Sequence, residues 1–123
     1  SFDDIRIFAE KGIVIENASG VTFHNLEMNI SEGSPLDARD SKNITWDMVT
    51  VGSPLKDLPY MSLSNCSDIR VTNCFQREAS GIYVEEDEKC SNIYILNNIL
   101  PGISSLSAGL GKNVVKLNNI TSK

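Results

Sequence analysis

Apolar and polar residues alternate by two along this chain, and the alternation restarts at a regular interval instead of running on. A small or Asn-type residue comes first, then an aliphatic one, then a second inward position two residues further on. The pattern reads Gly20-Val21-Thr22-Phe23, Asn43-Ile44-Thr45-Trp46, Asp68-Ile69-Arg70-Val71, Asn92-Ile93-Tyr94-Ile95 and Asn113-Val114-Val115-Lys116. Its lead residues stand roughly 21 to 25 apart, a period that marks a solenoid. A second alternating run precedes each lead: Ile13 and Ile15, Leu36 and Ala38, Met61 and Leu63, Leu106 and Ala108. In the fourth coil Ile82 and Val84 are expected to take these places, displaced by the acidic stretch Glu85-Glu86-Asp87-Glu88. Helical repeats would space apolar residues by three and four, and a leucine-rich repeat would need its run of leucines. The expected fold is therefore all-β: a right-handed parallel β-helix of about five coils, one domain over residues 1–123. One coil cannot bury its own inner face, whereas stacked coils share a continuous apolar column. Gly12, Gly33-Ser34-Pro35, Gly52-Ser53-Pro54, Ser80-Gly81 and Pro101-Gly102 punctuate the strands where turns are needed.

The repeat also sorts polar residues into columns. Five places after each lead come Asn25, Met48, Asn73, Asn97 and Asn118, which predicts a structural ladder of the four asparagines. Inside the coil, each amide would bond to the one about 4.8 Å above it. Asp4 falls in that column and Phe2 in the column of Phe23 and Trp46, so the chain begins partway through a coil. The expectation is a C-terminal piece of a longer chain, with Ser1 a cloning remnant. Lys116 occupies an inward column, as suits a last coil whose inner face meets water. Cys66 and Cys90 align in consecutive coils, within the separation that a disulfide allows. Two stacked free thiols are the other reading, and Cys74 is expected to be an ordinary packed residue.

Composition narrows the function classes. The 123 residues are 41% hydrophobic, enough for a useful core, and no apolar run approaches the length of a membrane span. A net charge of -5, with eleven Lys and Arg scattered among sixteen carboxylates, argues against nucleic acid as a partner. Three cysteines without a neighbouring histidine do not form a zinc pattern, and no cofactor is expected. The sequons at Asn17, Asn29, Asn43, Asn65 and Asn119 follow from Asn at turns and Ser or Thr on outward positions. His24 is expected on the surface, and Asp3 and Asp4 on opposite faces of a strand. The acidic run reads as a solvated turn, since it lacks the Gly and Asn residues that shape a calcium loop.

Two stretches carry a family resemblance. Phe2-Asp3-Asp4-Ile5-Arg6-Ile7 with Lys11-Gly12-Ile13-Val14-Ile15-Glu16-Asn17-Ala18-Ser19-Gly20-Val21-Thr22-Phe23-His24-Asn25-Leu26, continued by Ser41-Lys42-Asn43-Ile44-Thr45-Trp46, resemble the C-terminal coils of family 28 glycoside hydrolases. This is the polygalacturonase group of the pectin-lyase-like superfamily. The resemblance implies a parent enzyme that hydrolyses pectic polysaccharide with inversion, outside the cell or in a bacterial periplasm, its catalytic coils lying N-terminal to these. The family's signatures, Asn-x-Asp, Asp-Asp, Gly-His-Gly and Arg-x-Lys, are not reproduced. His24 stands in Phe-His-Asn, Arg6 lacks the following lysine, and Asp3-Asp4 has the wrong context. No catalytic residue is therefore carried over. Two other readings stand beside this one: a carbohydrate-binding module stacking sugars on Tyr83, Tyr94 or Tyr60, and a structural solenoid that self-associates end to end.

Overall fold

A computed structural model describes residues 1–52 and 58–122; the Ser53-Pro54 part of one expected turn lies outside them. The described residues form nine strands and no helix. These are β1 (Phe2–Glu16), β2 (Ser19–Arg39), β3 (Lys42–Val51), β4 (Met61–Ser64), β5 (Ser67–Thr72), β6 (Ile82–Glu86), β7 (Ser91–Leu96), β8 (Ser105–Gly109) and β9 (Lys112–Leu117). All pair in parallel, and the chain winds as a β-solenoid of about five turns.

Two ladders share the first two strands. The front of β1 and β2 continues through β3, β5, β7 and β9, aligning Phe2, Phe23, Trp46, Val71, Ile95 and Lys116. The back of β1 and β2 continues through β4, β6 and β8, aligning Ile13, Leu36, Met61, Val84 and Ser107. A third, shorter side is marked by bridges from Phe75 to Ile99 to Ile120. The inner faces meet in one buried cluster that includes Leu36, Ile44, Trp46, Met61, Ile69 and Ile93. Phe2 stacks on Phe23 at 5.3 Å between ring centres, and Phe23 meets the edge of Trp46 at 5.4 Å.

Corners fix the coil. Within β3, Ile44 and Trp46 are buried, Asp47 faces outward, and Val49 and Val51 are buried again. The in-out phase is reset at Met48, whose φ is 53°. Each coil turns at such left-handed residues: Asn43, Asp68, Asn92 and Asn113 at the lead position, and Asp4, Asn25, Asn73, Asn97 and Asn118 five places on. Asn17, Asp40 and Asn65 form a third corner column. Asn and Asp tolerate this region best among residues with a Cβ, which explains the recurrence of these letters.

Register corrects two expectations for the back ladder. Met61 and Leu63 pair with Val84 and Glu86, so the fourth coil slides by two and sets a carboxylate in the column of Ala38 and Leu63. In the fifth coil Ser107 and Gly109, not Leu106 and Ala108, align with Val84 and Glu86. A Cβ at Gly109 would collide with the Glu86 carbonyl, so only glycine lets this rung close on the one before it.

Candidate functional site

The asparagine ladder is the main correction. Asn25, Asn73, Asn97 and Asn118 do occupy one corner column, but they are exposed, and no side-chain bond joins any of the four to another. Asn25 instead donates to Asp4 at 2.7 Å and Asn73 to Asp47 at 3.0 Å. The inward amides belong to the next residue. Asn98 is buried, donates to the Val71 carbonyl and to the Asn119 side-chain oxygen at 2.9 Å, and accepts from the Cys74 N–H at 2.8 Å. Asn119 donates to the Ile95 carbonyl. Gln76 acts likewise on the third side, accepting from the Val51 N–H and donating to its carbonyl. At the lead corner Asn113 donates to Asn92, and Asn92 to Asp68.

Two of the three candidate sugar platforms are inside. Tyr60 and Tyr83 are buried and stack on each other at 4.7 Å, so neither can meet a ligand. Burial pushes the Tyr83 hydroxyl well above its usual range. Only Tyr94 is partly exposed, in register with Arg70 on the outer face of the front ladder. Cys66 and Cys90 lie one coil apart as expected, and the thiols are free, with the Cys66 N–H donating to Cys90 Sγ at 3.4 Å. Burial pushes the Cys74 and Cys90 thiols up to about 11, so both stay protonated and unreactive at neutral pH.

The acidic run is not the solvated turn expected. Glu85 and Glu86 belong to β6, and Glu86 is buried. Its Oε1 accepts from the Ser107 hydroxyl at 2.7 Å, while Oε2 is buried without a partner. Burial raises this carboxyl above its ordinary value, against the hydrogen bond from Ser107. Asp87 holds the turn, accepting from the N–H groups of Asn65 and Lys89 and from the Ser64 hydroxyl.

The outer face of the front ladder carries a polar constellation. Asp3, His24, Asp47 and Thr72 are consecutive partners in register across β1, β2, β3 and β5. His24 Nδ1 lies 2.7 Å from Asp47 Oδ2, and Asp47 Oδ1 accepts from the Thr72 hydroxyl at 2.7 Å and the Asn73 amide at 3.0 Å. Partial burial works to raise the Asp47 carboxyl, but the bonds from Thr72, Asn73 and His24 outweigh it and hold it below its usual range. Asp47 thus remains ionised and orients the imidazole; with both oxygens engaged it is a poor free base. The sequence reading placed His24 on the surface but missed its partners. The signal was present, since His24, Asp47 and Thr72 each stand four places after a lead residue. Among the described residues, no group of three or more His, Cys, Asp or Glu could hold a metal ion. Among the same residues no helix is long and apolar enough to cross a membrane.

The class these features define is a parallel β-solenoid with left-handed Asn and Asp corners. Comparison with protein-family models, curated proteins and solved structures finds no match.

Proposed function

We propose that this chain forms non-catalytic coils of a pectin-degrading glycoside hydrolase of the polygalacturonase or rhamnogalacturonan hydrolase type. The observation that carries the non-catalytic part is the engagement of Asp47, the carboxylate at the centre of the outer-face constellation, and of Asp4 at the corner beside it. Inverting hydrolysis needs one carboxylic acid at the leaving oxygen and one carboxylate activating a water across the ring. Asp47 is held by three donors on two oxygens, and Asp4 accepts from Asn25. Both serve as fasteners between coils. The pectic assignment is supported by the rung sequences around Phe2–Leu26 and Ser41–Trp46, which resemble the polygalacturonase group, and by the parallel coil they form.

The test has two arms. Mixed with polygalacturonate, the 123-residue chain should release no reducing ends; turnover above the blank would overturn the non-catalytic reading. A longer polypeptide containing these coils should hydrolyse polygalacturonate or rhamnogalacturonan with inversion at the anomeric carbon. Inactivity on pectic polymers, with hydrolysis of a neutral glucan instead, would remove the pectic assignment.

A further inference from the structure

The two-residue slide of the fourth coil puts Glu86 of β6 inside the back ladder, in register with Leu63 of β4 on one side and Gly109 of β8 on the other. The side chain is 5% exposed, and two glycines shape its seat. A Cβ at Gly109 would lie 3.1 Å from the Glu86 carboxyl carbon, and one at Gly111 would lie 2.7 Å from its Cγ. The rung thus covers the carboxyl group largely with backbone. Ser107 Oγ donates to Oε1 at 2.7 Å, while Oε2 is buried with no partner among the described residues.

Such a seat suits a neutral carboxylic acid better than a carboxylate. An ionised group accepts at both oxygens, and one left buried without a donor forfeits the solvation it had in water. Two charges reach it: Lys116 of β9 favours the ionised form and Glu85 of β6 opposes it, both with less weight than burial and the Ser107 bond. The other neighbours are uncharged. They are Leu63 from β4, Ser107 and Gly109 from β8, Gly111 ahead of β9, and the Cys90 thiol, which borders Gly111 and stays protonated at neutral pH. Ionisation is relieved when the carboxyl group reaches water, and β8 stands between them.

We propose that Glu86 is a proton-controlled clasp on the β6–β8 rung: protonated, it lets the rung close, and ionised, it loosens β8 while the front ladder from β7 to β9 stays paired. The two ladders differ in what holds them. β8 meets β6 through Ser105, Ser107, Ala108 and Gly109, whereas β9 meets β7 through Val114, Val115, Lys116 and Leu117 over the buried Ile93 and Ile95. Few apolar contacts make the back rung the easier one to open. Burial raises the Glu86 carboxyl above its ordinary value, which fixes the sign. The closed rung is favoured in acid, and that contribution is lost as pH rises through the raised folded value. The rung lies between two coils of this chain, so the clasp requires neither an open strand edge nor the glycosidase reading.

Amide hydrogen exchange of the wild-type chain from about pH 4 to about pH 8, corrected for the intrinsic rate at each pH, tests it. Leu110, whose N–H donates to the Glu86 carbonyl at 3.4 Å, reports the rung together with the amides of β8. Their protection should fall with rising pH, by about tenfold for every tenfold by which burial weakens the acid, while β9 keeps its protection. Glu86→Gln retains an acceptor for Ser107 and never ionises, so its β8 protection should stay level over the same range. A level wild type would overturn the proposal, as would a Gln variant that loses protection in step with wild type, or β9 opening together with β8. Carbon-13 titration of the Glu86 carboxyl in the wild type needs no variant. Its midpoint should lie above that of an exposed glutamate, and a midpoint at or below it would overturn the clasp.

Discussion

Asn and Asp recur in this chain because its corners require φ between 50° and 60°, where other side chains crowd the following carbonyl. Among the described residues Met48 is the one other non-glycine residue in that conformation, and it stands at a corner its neighbours Asn25 and Asn73 occupy with asparagine. Met48→Asn should therefore raise stability by about 1 kcal/mol, and Asn97→Ala should lower it by about as much. Both are read from urea denaturation, and no change in either variant would mean that the corner conformation is not the cause. The same physics explains what the letters hid. A repeated Asn signals either an inward amide ladder or a left-handed corner, and a single sequence reads alike for both. Only the exposure of Asn97 beside the burial of Asn98 separates them.

Strands were legible where alternation was uninterrupted. Val21 and Phe23, Ile44 and Trp46, Ile69 and Val71, and Ile93 and Ile95 stand in their predicted columns, because inward position and period agree. The back ladder was less readable in its last two coils. Glu86 takes an inward place that hydrophobic counting assigns to an apolar residue, and Gly109 answers it with no side chain at all. A buried carboxyl with one unpartnered oxygen is disfavoured in its charged form, and its folded pKa is raised by that burial. The sign follows directly: Glu86 stabilises the fold most below its unfolded pKa, and this contribution is lost as pH rises through the higher folded value. Glu86→Gln should retain the Ser107 bond without the charge. Its melting temperature should match wild type in acid and exceed it at neutral pH, and a variant less stable at neutral pH would show that the ionised carboxylate is favoured.

At the scale of the molecule, period, length and residue type together identified a parallel solenoid. Each coil buries its face only by stacking, and that need imprints the repeat on the sequence. The outer face was less legible, because nothing in packing dictates its chemistry. His24, Asp47 and Thr72 meet only once the coils are superposed, and Tyr83 proved to be core, stacked on the buried Tyr60 of the coil before it. Rung-on-rung superposition is what every assignment of neighbours depends on, from the Asp47 network to the Glu86 seat. NOE spectroscopy of the labelled chain in solution tests it most directly. Stacked parallel strands bring backbone protons of Ile44, Ile69, Ile93 and Val114 close in sequence order, giving contacts between residues a full coil apart. Absence of those contacts, or a network confined to residues three and four apart, would contradict the stacked solenoid.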